Sequence, residues 1–152
     1  MKNTSSKNII YKLAVDFDEE FNTKIPIKTL SNGNIVYNDF LIKIDKNQNW
    51  EVYYIPYKEL LHKFFLKTCA LMAVKSYLTL QFGEYQRIKH LDNRYQSHYT
   101  DITVYKHNIK KVTDDDDRAI LLNKLEESNA RAKEYRHQIS SMFKAAFCIN
   151  TL

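Results

Sequence analysis

The chain of 152 residues is 44% apolar and 27% charged, enough to bury one ordinary core without metals or disulfides, so a disordered or fibrous chain is set aside and one domain, 1–152, is expected. Only two glycines and two prolines occur, which disfavours folds built from many tight turns and favours long helices. The net charge of +5 is unevenly placed: residues 1–57 carry seven basic and seven acidic side chains, residues 58–111 ten and four, and residues 112–152 six and seven.

Near the N-terminus, Ile9, Ile10, Leu13, Ala14, Phe17 and Phe21 recur at three and four, with Ser5 or Ser6 as a cap. That spacing predicts an amphipathic helix over 6–22. No signal peptide is visible, because Lys12 interrupts the apolar run and acidic residues follow it.

From Lys24 the period changes to two. KIPIKTL, IVYNDFLIKID and WEVYYI, separated by the turns SNGN and KNQN, predict a three-stranded antiparallel β-meander over 24–55. In the second strand Val36, Phe40, Ile42 and Ile44 share one face, and Tyr37, Asp39, Lys43 and Asp45 the other. Pro26 suggests an edge position for the first strand. The stretch DKNQNWE imitates the start of a calcium loop, but the sixth and twelfth positions hold Trp50 and Pro56 where a glycine and a bidentate glutamate are needed. Asparagine-rich turns have their own backbone reason.

After Pro56 the pattern reads as helical over 57–149. Residues 57–81 are apolar on almost every side and predict a central helix. His62, Lys63, Lys67 and Lys75 cut this segment, so it does not make a membrane span. Gly83 marks a break. Two coiled-coil-like seams follow: Ile88, Leu91, Tyr95, His98, Ile102, Tyr105 and Ile109 over 84–110, and Leu121, Leu125, Ser128, Ala132, Tyr135, Ile139, Met142, Ala146 and Ile149 over 114–148. The acidic run between them starts the last helix, with Thr113 or Asp114 as its cap and the other aspartates beside the positive end of the dipole.

A short connection makes these two helices an antiparallel hairpin. Simple fold-back pairs Tyr105 with Leu121, His98 with Ser128, Tyr95 with Ala132 and Leu91 with Tyr135. The expected fold class is therefore α+β, with the three-stranded meander packed on a helical bundle that contains a long antiparallel helical hairpin.

The sequence raises three chemistries: metal binding, catalysis and nucleic-acid binding. His90 and His98 lie roughly 12 Å apart along one helix and cannot share a metal ion. His98, expected to hydrogen-bond Ser128 in the seam, forms a candidate catalytic set with Asp101 and Asp92, yet no nucleophile is tied to them. Cys69 and Cys148 belong to no zinc-ligand spacing and read as packed intracellular thiols. No glycine-rich phosphate loop, nucleophile elbow or HExxH helix occurs, so no catalytic residue, cofactor or metal is assigned. The basic middle segment is a candidate nucleic-acid surface, with Arg87, Lys89, Arg94, Lys106, Lys110 and Lys111 on phosphates and Tyr85 or Tyr99 stacking on bases. Two seams with more apolar surface than one hairpin needs point instead to a protein partner or to a second copy of the chain.

Lys, Asn, Ile, Tyr and Phe supply 64 of the 152 residues, the bias of an AT-rich genome. The run WEVYYIPYKELLHKFFLKTCALMAVKSY, followed by YQRIKHLDNRYQSHYTD, resembles small uncharacterised proteins encoded by marine tailed phages that infect cyanobacteria and other marine bacteria. The resemblance would cover most of the chain. It implies a viral source and an intracellular or virion location, and it transfers no catalytic residues.

Overall fold

The computed structural model describes residues 16–18 and 23–147, with side chains from residue 24 onward. In chain order come β1 (Asp16–Asp18), β2 (Thr23–Ile25), β3 (Lys28–Thr29), β4 (Ile35–Tyr37), β5 (Phe40–Ile44), β6 (Trp50–Tyr54) and β7 (Glu59–Phe64), then α1 (Lys67–Leu78), α2 (Phe82–Lys111) and α3 (Asp115–Phe147). Strands β3 to β7 form one antiparallel sheet in sequence order, and β1 pairs with β2 separately. The fold is α+β, as expected, but the sheet has five strands instead of three.

Each extra strand has a local cause. Asp16–Asp18 falls inside the expected helix 6–22, yet the sequence from Val15 alternates apolar and acidic, and Asp16 pairs with Ile25 across an antiparallel ladder. The rest of that expected helix lies outside the described residues. Pro26, with no N–H to give, separates β2 from β3, and the Ile27 N–H returns to the Ile25 carbonyl at 2.7 Å. The segment IVYNDFLIKI is a hairpin instead of one strand: Tyr37 pairs with Phe40, and Asn38 turns the chain in the left-handed region at φ 57°.

The largest correction falls after Pro56. A 3-10 turn, Ile55–Tyr57, ends at Lys58 with φ 52°, and the chain then runs back as β7 along β6 with a bulge between Val52 and Tyr53. Residues 59–64 are therefore strand where a helix was expected. A continuous apolar run such as LLHKFF fits a buried strand as well as a helix, and pairing with β6 decides between them.

The central helix is confined to α1, and there the expectation holds. Residues Thr68–Val74 and Ser76 are buried on all sides, because α1 lies between the sheet and the base of the hairpin. Ile35, Phe40, Ile42, Val52 and Phe64 cover it from the sheet, and Ile88, Leu91, Ile139 and Phe143 from the helices. The break before α2 falls at Leu80, with φ 61°, and Gly83 sits inside the first turn of the helix.

Helices α2 and α3 match the two seams closely. Asp114 caps α3, its side chain accepting the Asp116 N–H at 3.2 Å. Their register departs from simple fold-back at His98, which stacks on Tyr135 at 5.6 Å between centroids and 18° between planes. Side chains lean toward the N-terminus of their own helix. In an antiparallel pair the two rings therefore lean toward each other, which brings together residues about two turns out of the register that Cα counting gives. The expected bond from His98 to Ser128 is not made, and both ring nitrogens lack a partner.

Candidate interaction surface

The entry to α1 is held by a residue from another helix. Leu66, the N-cap, offers no side-chain acceptor of its own. Asp92 of α2 reaches across instead, accepting the Phe65 N–H at 2.8 Å and the Leu66 N–H at 2.9 Å. Its carboxylate also lies at the positive end of the α1 dipole. Burial pushes the Asp92 carboxyl above its ordinary range, against the pull of the two N–H donors and the Cys69 thiol. The same burial, with Asp92 beside it, raises the Cys69 thiol. Next to them the Arg136 guanidinium of α3 donates to Thr68 Oγ1 at 3.3 Å. This arrangement is a structural clamp that joins β7, α1, α2 and α3.

Outside the clamp lie three aromatic rings. Phe65 packs on Tyr95 at 5.9 Å and on Tyr99 at 5.2 Å, and Tyr99 remains 49% exposed. Between α2 and α3 the two tyrosines line a cleft of roughly 280 Å³ with Lys106, Asn129, Lys133 and Arg136. A second cleft of roughly 400 Å³, between β7 and α2, is lined by His62, Lys63, Lys89, His90, Asp92, Asn93 and Gln96. Tyr95, Tyr99, Ile102 and Lys106 share one face of α2 and Gln86, Lys89, His90, Asn93 and Gln96 another, so the two clefts open on different sides of the helix.

The eight residues expected to bind nucleic acid are distributed over several surfaces. Lys89 lies in the second cleft, with Lys106 and Tyr99 in the first. Arg87 lines a different depression with Lys75 and Ser141 and pairs with Glu84 at 3.8 Å. Arg94 donates to the Tyr135 hydroxyl at 3.4 Å and lies over that ring. Tyr85 is buried against Tyr77, with the Lys89 ammonium over its face. Lys110 and Lys111 are exposed in the last turn of α2. Sequence reading missed Phe65, Tyr95, Lys133 and Arg136. Their signal is tertiary, since they come from β7's end, α2 and α3.

The catalytic set is not brought together. Asp92 faces α1, His98 is buried against Tyr135, and among the described residues no hydrogen bond joins either to Asp101. Asp45, of the calcium-like stretch, accepts the N–H groups of Asn47 at 2.8 Å and Asn49 at 2.9 Å, closing the turn between β5 and β6. Among the described residues no cluster of three or more His, Cys, Asp or Glu side chains converges for a metal ion, and no helix is long and apolar enough to cross a membrane.

The far half of the hairpin has a different character. Helices of 30 and 33 residues are about 45 and 50 Å long, whereas the sheet and α1 pack only on their base. Beyond it Val104, Ile120 and Leu122 remain 47%, 54% and 49% exposed. Here α2 ends in Lys106, Lys110 and Lys111, and α3 begins with Asp115, Asp116, Asp117 and Arg118, which pairs with Asp115 at 3.7 Å, followed by Lys124, Glu126 and Glu127. No family model, curated protein or solved structure matches this chain.

Proposed function

We propose that the protein works by binding a second copy of itself through the far half of the α2–α3 hairpin, without a catalytic step. The observation that carries this reading is the hairpin end, where exposed Val104, Ile120 and Leu122 lie beside a net positive end of α2 and a net negative start of α3. A side-by-side arrangement of two hairpins sets the basic end of α2 next to the acidic start of the other copy's α3, which makes the surface self-complementary. Such an interface is isologous and closes as a two-fold dimer with four-helix packing. Ile120 and Leu122 stand on opposite flanks of Leu121, so one interface covers one of them, and each apolar side chain whose exposed half is buried contributes on the order of 1 kcal/mol per copy.

The test is a double substitution, Ile120→Glu with Leu122→Glu, on exposed positions whose change leaves the core intact. The expected result is a monomer with unchanged circular dichroism. Retention of the parent's oligomeric state by this variant would contradict the reading.

A further inference from the structure

We infer that the cleft between α2 and α3 binds one small ligand in which a planar ring carries a phosphate, the chemistry of a nucleoside monophosphate. Every residue in it belongs to one copy of the chain, so the inference does not rest on self-association.

The inference starts from the charges that the two helices bring together. Tyr95, Tyr99 and Lys106 share one face of α2, and Asn129, Lys133 and Arg136 share one face of α3. The helices run antiparallel, so Tyr95 and Arg136 lie at the base end of the cleft, and Lys106 and Asn129 toward the hairpin end. Two other clefts border α2, and each carries a carboxylate: Asp92 in the one beside β7, and Glu84, paired with Arg87 at 3.8 Å, in the one beside α1. No Asp or Glu lines the cleft between α2 and α3, where Lys106 and Lys133 are exposed. Arg136 donates to Thr68 Oγ1 and closes the base end. The charge offered to a ligand is therefore that of the two lysines, whose flexible stems let both ammonium groups meet one phosphate.

The second observation is aromatic. Tyr99 is 49% exposed and packs against Phe65 at 5.2 Å and Tyr95 at 6.3 Å. A ring supported in this way loses little entropy when a base stacks on it. Ile102 and Ala132 add apolar wall, and Asn129 adds an amide. Size then selects among ligands that combine ring and charge. The cleft holds roughly 280 Å³, at the small end of ligand sites, and extends about 16 Å from Tyr95 to Lys106, so it takes one nucleotide and not a length of strand. Inorganic phosphate leaves the tyrosine uncovered, and an acidic peptide brings charge without a ring to stack on it. The same chemical unit occurs free and at the phosphorylated end of a nucleic-acid strand.

The experiment is a heteronuclear NMR titration of the nitrogen-labelled full chain with adenosine monophosphate, adenosine, ribose phosphate and an oligoadenylate that carries a terminal phosphate. The monophosphate should shift the amide signals of Tyr95 to Lys106 and of Asn129 to Arg136 and saturate. Adenosine and ribose phosphate should each bind about tenfold more weakly, because each makes one of the two contacts. Lys106→Gln and Lys133→Gln should each lower affinity about threefold to tenfold, and Tyr99→Ala about fivefold or more, with circular dichroism as the check of folding. Tyr99→Phe, which keeps the ring, should bind as the parent does, and so should Lys46→Gln in the turn between β5 and β6. The oligoadenylate separates the two sources: affinity equal to that of the monophosphate assigns the site to a strand end, and weaker binding assigns it to the free nucleotide. Absence of saturable shifts overturns the inference, as do shifts confined to the other clefts of α2. So do ribose phosphate bound as tightly as the monophosphate, silence of both lysine variants or of Tyr99→Ala, and displacement of the nucleotide by polyglutamate at equal charge.

Discussion

Asp92 and Leu66 lie 26 residues apart in sequence, and the carboxylate of the first accepts the N–H of the second at 2.9 Å, where the chain leaves β7 and enters α1. One side chain thereby fixes the angle between sheet and central helix. Its removal leaves two partly buried N–H groups without this acceptor. Asp92→Ala should destabilise the fold by about 1–3 kcal/mol, and Asp92→Asn, which keeps an acceptor oxygen, by less. Urea unfolding of the three proteins measures the order. Equal loss from Ala and Asn would show that the charge, and not the acceptor, matters.

The pH dependence contains two carboxyls of opposite sign. Burial raises the Asp92 carboxyl in the folded state, so its contribution is most favourable below the unfolded value and is lost as pH rises through the folded one. Asp45 is lowered, first by the Asn49 N–H and further by the Asn47 N–H and Lys63, so its contribution is present above the unfolded value and is lost as pH falls. Stability of the parent minus that of Asp92→Asn should therefore decline with rising pH across the carboxylate range. The same difference for Asp45→Asn should increase. Unfolding midpoints from pH 3 to pH 7 give both slopes, and like signs would refute the assignment.

His98 has two ring nitrogens without partners in a buried position, and its ring already stacks on Tyr135. Replacing a buried, unpaired polar ring by an apolar ring of similar shape removes the desolvation cost and keeps the stack. His98→Phe should stabilise the hairpin by on the order of 1 kcal/mol. A lower midpoint in thermal or urea unfolding would show that the nitrogens have a role in holding the helices together.

Cys69 is buried beside Asp92, and both burial and that carboxylate suppress its thiolate. In a Cys148→Ser background, Cys69 should react with an aromatic disulfide reagent only as fast as the protein opens. The rate should rise with urea in step with global unfolding. Rapid reaction in buffer alone would place the thiol within reach of solvent.

How much of this was legible depended on whether one periodicity ran long enough. Over thirty residues the alternation of three and four through Ile88, Leu91, Tyr95 and His98 has a single geometric solution, and both long helices were read with bounds close to those observed. The sheet was harder. In IVYNDFLIKI the turn needs only Asn38 in the left-handed region, a two-residue device hidden inside an apparently continuous strand. In ELLHKF the apolar pattern fits strand and helix alike, and only the pairing of Trp50 with Phe64 distinguishes them. The cleft between α2 and α3 was half visible: Lys106 and Tyr99 stand in the basic middle segment. Lys133, Arg136 and Phe65 come from other elements, and no local pattern joins them to that segment.

The central claim is that the hairpin end joins two copies of the chain, and sedimentation equilibrium of the parent protein, from low to high micromolar concentration and at two salt concentrations, tests it most directly. A monomer–dimer equilibrium weakened by salt is the predicted result, because both apolar burial and the opposed charges of α2 and α3 hold the interface. A single species of 18.1 kDa at every concentration and both salts would contradict it.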